Sequence, residues 1–253
     1  MMNEPELLGL TSLVTGGSRG IGRACSLRLA AAGSNVAVNY VSGEAAAREV
    51  VSEIEAAGGK AIICQGDVSS PEQVRGMLER VQAELGPVDL LVNNAGVFDI
   101  VSHEETSLDV WQRMLDVNLT GSYLVSWAVK DGMIERGFGR IVNMSSIAAL
   151  AGRPTAIAYS VSKAGVVALT QSLALAVAGH NVRVNAVAPG LIDTEILAGV
   201  DPEWLDGLIQ ATPMKRIGQA TEIAELVLFL LSERSSFMTG QTLVASGGRV
   251  TLP

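Results

Sequence analysis

Tyr159 and Lys163, the ends of the run "YSVSK", set a phenol and an ammonium four residues apart. Four residues is about one helical turn, so on a helix the two side chains share a face. A phenol ordinarily titrates near pH ~10. A fixed positive charge beside it favours the ionised form and lowers that value. A tyrosine tuned in this way can exchange a proton with a bound substrate near neutral pH, which general acid–base catalysis requires.

A second stretch points to a partner for that chemistry. "TGGSRGIG", Thr15–Gly22, follows an apolar run and opens a helical pattern. Gly16, Gly20 and Gly22 permit a tight turn and let the backbone approach a diphosphate closely. The helix N-terminus then supplies N–H groups and the positive end of a dipole. The spacing is G-x-x-x-G-x-G rather than the commoner G-x-G-x-x-G.

The elements that must hold these residues follow from hydrophobic patterning. Short runs rich in Val, Ile and Leu predict strands at Leu10–Thr15, Asn35–Tyr40, Ala61–Gln65, Val88–Asn93, Arg140–Met144, Val182–Val187 and Gln241–Ala245. Helical periodicity predicts Gly20–Ala32, Ala45–Ala57, Pro71–Glu84, Ser107–Lys130, Ala156–Ala178 and Glu222–Leu231 between them. The strands lack strict alternation, as expected where helices cover both faces of a parallel sheet. Alternation of strand and helix along the whole chain predicts one α/β domain, a doubly wound parallel seven-stranded sheet. A stretch without strand character, near Thr194–Thr221, has the place of a lid and carries Ile196, Leu197, Trp204, Leu205, Leu208 and Ile209.

Composition excludes several alternatives. The 253 residues are 48% hydrophobic and carry a net charge of −8, with no Lys/Arg run to track a nucleic-acid backbone. No apolar run reaches the length of a membrane span. Cys25 and Cys64 lie inside apolar patterns without metal-ligand spacing, and the two histidines join no ligand cluster. With no secretion signal at the start, a cytoplasmic protein is expected.

The motifs together resemble the short-chain dehydrogenase/reductase family. "TGGSRGIG" is followed in order by "NNAG" (Asn93–Gly96), Asn118 in "DVNLTG", Ser146 in "NMSS", Tyr159-x-x-x-Lys163, "PGLIDT" (Pro189–Thr194) and "TGQTLVASGG". The chain is most similar to the 3-oxoacyl-acyl-carrier-protein reductases within that family. The resemblance implies a Rossmann fold, a homotetramer, and a catalytic set of Asn118, Ser146, Tyr159 and Lys163. Tyr159 would act as acid or base while Lys163 lowers its pKa and holds the nicotinamide ribose. Ser146, thirteen residues before Tyr159, would orient the substrate oxygen in preference to Ser145, and Asn118 would hold a water that relays protons to Lys163. Gly16, Ser18, Arg19, Gly20, Ile21 and Gly22 would line the cofactor phosphates, and Asp67 and Val68 the adenine. Asn94, Ala95 and Gly96 would flank the ribose, and Pro189, Gly190, Ile192 and Thr194 the nicotinamide.

NADP(H) is the expected cofactor, with NAD(H) as the alternative. Where relatives using NAD carry Asp at the end of the second strand, this chain has Tyr40, followed by Ser42, and Arg19 stands ready for an extra phosphate. The expected reaction is reduction of a small-molecule carbonyl, a 3-oxoacyl thioester or similar apolar ketone, to the alcohol. A dehydrogenase of a small alcohol or sugar is the alternative, and a cofactor-binding regulator without turnover is disfavoured by the complete catalytic set. Acyl carrier protein is a doubtful partner. Where such reductases carry basic residues to meet it, this chain has Gly137 and His180, with Arg136 and Arg183 nearby as substitutes.

Overall fold

The computed structural model describes residues 6–195 and 201–251. All seven anticipated strands form, within two residues of the expected ends: β1 (Thr11–Val14), β2 (Asn35–Tyr40), β3 (Ala61–Gln65), β4 (Leu90–Asn93), β5 (Gly139–Met144), β6 (Val182–Pro189) and, last in the chain, β9 (Thr242–Ala245). They make one parallel sheet in the order β3-β2-β1-β4-β5-β6-β9. The order reverses between β1 and β4, so the chain leaves their C-terminal ends in opposite directions. Ligands of open α/β sheets bind in the crevice that results.

Helices α1 (Gly20–Ala31), α2 (Glu44–Ala56) and α8 (Ala220–Leu231) cover one face. Helices α3 (Pro71–Glu84), α5 (Gly121–Arg136) and α6 (Ile157–Val177) cover the other. Successive strand residues therefore enter opposite cores: Leu13 packs with α3 and α5, Val14 with α1 and α8. Both need apolar side chains, which is why the strands read as continuous runs. Ser70 caps α3, with Pro71 in the first turn.

Three features differ from the sequence reading. The pattern expected as one helix over Ser107–Lys130 is α4 (Leu108–Leu115), a π turn (Asp116–Thr120) and α5, which continues to Arg136. Gly132 breaks the apolar pattern but not the helix. Gly137, at φ +63°, ends it. The lid region is bounded by two short parallel strands, β7 (Ile192–Asp193) and β8 (Gly218–Gln219), and contains helix α7 (Pro202–Gln210) capped by Asp201. Pairing two residues long leaves no periodicity to read. Ile196 and Leu197 lie outside the described residues.

Helix α6, with the turn after it, is the one described helix long and apolar enough to cross a membrane. It packs on β6 and buries Ser162, Lys163, Thr170 and Leu173, which makes it a core helix. A polar chain inside the protein fixes its height. Asn93 Nδ2 donates to Asn143 Oδ1 (2.8 Å) and to Ser126 Oγ (2.9 Å), and Asn143 Nδ2 donates to Thr170 Oγ1 (2.9 Å). This joins β4 and β5 to α5 and α6, and buried amides keep such bonds because leaving them unmade is costly.

Candidate active site

The glycine turn is built by close approach. A Cβ on Gly22 would lie 2.1 Å from the Gly16 carbonyl oxygen, so only glycine fits there. Gly16 and Gly20 hold φ of +60° and +51°, in the left-handed region. The start of α1 has no side-chain cap and no acid in its first turn, unlike α3, α4 and α7, which Ser70, Ser107 and Asp201 cap. Its first N–H groups are thus left for an external anion. These observations fit a dinucleotide diphosphate, held by the backbone of Gly16–Gly22.

The turn is stitched to the loop after β4. Thr15 Oγ1 donates to the Val92 carbonyl (3.3 Å) and accepts from Asn94 N and Ala95 N (both 3.0 Å). Asn94 Nδ2 returns bonds to the Thr15 and Gly16 carbonyls. From β2, Asn39 accepts from Gly16 N through Oδ1 (3.1 Å) and donates to the Cys64 and Gly66 carbonyls. Thr194 and Glu195 reach the same turn from β7: a Cβ on Gly20 would lie 3.2 Å from Thr194 Cγ2 and 3.4 Å from Glu195 Oε2.

The four residues of the anticipated catalytic set converge beside it. Tyr159 and Lys163 lie in the first two turns of α6, and Ser146 begins the turn after β5. The phenol of half-buried Tyr159 lies beside Ser146, and the Phe98 ring meets the Tyr159 ring edge-on at 4.8 Å. Ser145 is buried, with Oγ donating to the Lys163 carbonyl (2.9 Å), so it is structural and Ser146 faces the site. Lys163 is buried and donates to the Met144 carbonyl (2.8 Å). Asn118 lies in the π turn, a distortion frequent at functional sites. Gly96 separates it from the lysine: a Cβ there would be 3.1 Å from Asn118 Oδ1 and 3.4 Å from Lys163 Nζ.

Two details depart from expectation. Burial pushes the Tyr159 phenol above its ordinary value, and the adjacent Ser146 hydroxyl only partly draws it back. Lys163, with Nζ 5.8 Å from the ring centroid, does not outweigh that burial and is itself brought down to about 8 by burial. Spacing alone carries no information on desolvation, which dominates here. The Asn118 amide, in turn, is engaged at both ends. Oδ1 accepts from Val97 N (2.7 Å), and Nδ2 donates to the Val97 carbonyl and to Ser162 Oγ (both 3.0 Å). It anchors the loop after β4 to α6.

The remaining anticipated residues are spread around the crevice. Arg19 is exposed, with no side-chain bond among the described residues, while Ser18 is buried and Ile21 packs on the core. Asp67 closes its own turn through Ser69, and Val68 is buried against Gly121. Tyr40 is buried in the core cluster, whereas Ser42 is exposed just beyond that end of β2. Pro189 ends β6; Gly190 packs on Ser246, a Cβ there being 2.7 Å from Ser246 Cα, and Ile192 is buried in β7. Sequence reasoning passed over Asn39, whose signal is an amide inside the apolar run "NVAVNY". A cavity of about 660 Å³, bordered by Leu191, Met214, Gly248 and Val250, lies at the base of the lid and touches none of the four residues.

A reversed-order parallel sheet, an uncapped helix behind a glycine turn and a Ser–Tyr–Lys group at the same crevice define an NAD(P)-binding oxidoreductase. The chain matches the family model described as "Enoyl-(Acyl carrier protein) reductase" over residues 16–249. It is 40% identical to a 3-oxoacyl-[acyl-carrier-protein] reductase of Synechocystis over 96% of this chain and 98% of the relative. It is also 40% identical to an acetoacetyl-CoA reductase of Shinella zoogloeoides, covering 94% and 97%. A solved short-chain type dehydrogenase/reductase from Mycobacterium marinum superposes with a TM-score of 0.92 at 36% identity, covering 98% of each chain. The chain belongs to the short-chain dehydrogenase/reductase family.

The depressed Lys163 pKa carries a stability consequence. Its folded value, about 8, lies below the unfolded value, 10.5. The penalty for burying the ammonium is therefore complete below pH ~8 and is relieved as pH rises from there toward 10.5. Lys163→Met should accordingly unfold at higher urea than the wild type at pH 7, with the gap shrinking between pH 8 and 10. A variant less stable at pH 7, or a gap independent of pH, would contradict the burial argument.

Proposed function

We propose that the protein reduces an apolar ketone, with a short 3-oxoacyl thioester as the leading candidate, using NADPH. The observation that carries this reading is the placing of Ser146 beside Tyr159 and of Lys163, one turn further along the same helix, beside Gly96 and Asn118 at the sheet's crevice. A bound nicotinamide supplies hydride to the carbonyl carbon. Tyr159 gives its proton to the carbonyl oxygen, and a phenol raised by burial is held protonated for that role at neutral pH. Ser146 donates a hydrogen bond to the same oxygen, stabilising the charge that develops there. Lys163, brought to about 8, can take and return protons in the neutral range while it holds the ribose. Asn118 positions the Gly96–Val97 loop against α6.

The substrate reading rests on the lid and on the named relatives. Leu205, Leu208 and Ile209 on α7 are only half-buried and Trp204 is exposed, so the helix offers apolar surface rather than polar partners for a sugar's hydroxyls. An acidic carrier protein finds little to meet. Arg136 donates to the Val88 carbonyl (2.8 Å), and Arg183 is buried on Ser232, Ser235 and Glu233. We therefore expect only a modest advantage for carrier-bound over coenzyme A-bound substrate. We also place the protein in the cytoplasm as a homotetramer. The stacked pair Tyr123–Trp127 on α5, with exposed Val161 and Leu175 on α6 and Phe237 before β9, supplies apolar surface for assembly.

Three measurements test these statements. Tyr159→Phe keeps the ring and removes the donor, so turnover should fall by ~10²-fold or more with cofactor affinity little changed. Near-normal turnover would reject the mechanism. NADPH should exceed NADH in kcat/KM. Arg19→Ala should lower the NADPH value on the order of 10–100-fold while sparing NADH, because a charged hydrogen bond to the 2′-phosphate is lost. Equal values for the two cofactors in the wild type would refute the preference. Sedimentation should give four times the 26.4 kDa chain mass, and a 26.4 kDa species at micromolar concentration would exclude the tetramer.

A further inference from the structure

Ten of the fourteen arginines face a carboxylate: Arg23, Arg28, Arg48, Arg80, Arg113, Arg136, Arg140, Arg183, Arg216 and Arg234. Of the other four, Arg75 points to solvent on α3 and Arg19 belongs to the glycine turn. The last two, Arg153 and Arg249, are half-buried and make no ion pair or side-chain hydrogen bond among the described residues. Burial and then the positive charge of Arg153 hold the Arg249 guanidinium below its ordinary value. Two positive charges without a carboxylate partner thus act on one another in a protein of net charge −8.

Their loops converge on the site. Arg153 lies between Ser146 and the start of α6, on a loop tied to the chain after β4 by Val101 N donating to the Thr155 carbonyl (2.9 Å). Arg249 follows β9, where Ser246 packs on Gly190, and Gly247 and Gly248 pack on Thr212 and Pro213 at the end of the lid. One arginine therefore comes from the serine side and the other from the lid and nicotinamide side. The nearest acids of the lid helix are turned elsewhere: Asp201 caps α7, and Glu203 and Asp206 are exposed. The molecule's other close arginine pair, Arg140 and Arg183, shares Glu233. Two like charges that act on each other without a carboxylate are unfavourable unless an anion completes them, and such arrangements cluster at functional sites.

We propose that Arg153 and Arg249 form the anion-binding end of the substrate site, gripping the carboxylate or phosphate of a ketone that is otherwise apolar. The inference rests on the carbonyl-reductase reading for the identity of the bound molecule and adds its charge. Paired guanidinium groups suit such oxygens because each offers a planar fork of donors. It also places the apolar surface of α7 and the charge at opposite needs of one ligand: the helix covers the chain, and the arginines fix its end.

Three substrates separate the cases: acetoacetyl-coenzyme A, which carries phosphates; acetoacetate, which carries a carboxylate; and ethyl acetoacetate, which is neutral. For the double variant Arg153→Gln/Arg249→Gln, kcat/KM should fall on the order of 10–100-fold for at least one anionic substrate, chiefly through KM, and much less for the neutral ester. Loss confined to the thioester assigns the phosphate, and loss confined to acetoacetate assigns the carboxylate. Arg→Lys at both positions should recover part of the loss. Equal losses on all three substrates, or none, would overturn the proposal. Calorimetric affinity for acetoacetyl-coenzyme A and acetoacetate is measured alongside. If no ketone is turned over with either cofactor, the reductase reading fails. The arginine site then stands or falls on whether the double variant weakens that binding tenfold. If the double variant does not fold, the wild type decides: kcat/KM for the anionic substrates must drop with added salt more steeply than for the ester, and parallel salt curves reject the site.

Discussion

The hydroxyl of Thr15 is the point on which the two halves of the site depend. It sits where the strand order reverses, donating to β4 and accepting from two consecutive N–H groups of the loop that leaves β4. One oxygen thus fixes the glycine turn to the loop carrying Gly96. Because β1 and β4 diverge beyond their ends, no ladder bond can do this, and a side chain must. Asn94 and Asn39 reinforce it from either side through their side-chain amides.

From that junction the geometry propagates outward through contact rather than through charge. The Gly96–Val97 segment is held by Asn118, Asn118 by Ser162, and Ser162 by the carbonyl of Tyr159. The residue that positions the loop is therefore bonded to the helix that presents the phenol. The one buried ammonium rests on a backbone carbonyl with no carboxylate partner, so it remains a weak acid rather than a fixed charge. Its protonation is free to respond to what is bound.

Much of this was legible in sequence, for reasons that differ by element. The seven strands show because burial on both faces demands apolar residues at every position, and runs such as Leu90–Asn93 admit little else. Gly22, Tyr159 and Lys163 show because few residue types can occupy their places. What escaped depends on partners distant in the chain. Asn39 reads as a polar interruption until Gly16 is seen above it, and β8 exists only because Ile192 passes beside Gly218. The π turn at Asp116–Thr120 leaves no local mark, since the same residues would complete an ordinary helix. The direction of the Tyr159 shift was misread because the neighbour in sequence was visible and the desolvating surroundings were not.

The pairing of β7 with β8 has a consequence for how this scaffold diversifies. Ile192 and Asp193 lie beside Gly218 and Gln219, so the segment between them departs from and returns to the same place. Closing such an excursion costs entropy that grows only slowly with its length. Residues can be added, removed or replaced within its middle while its two attachment points stay fixed, and the packing of α8 on α1 does not register the change. The lid is in this sense a module hung from a fixed frame, whose middle can change in length without moving the points that hold it.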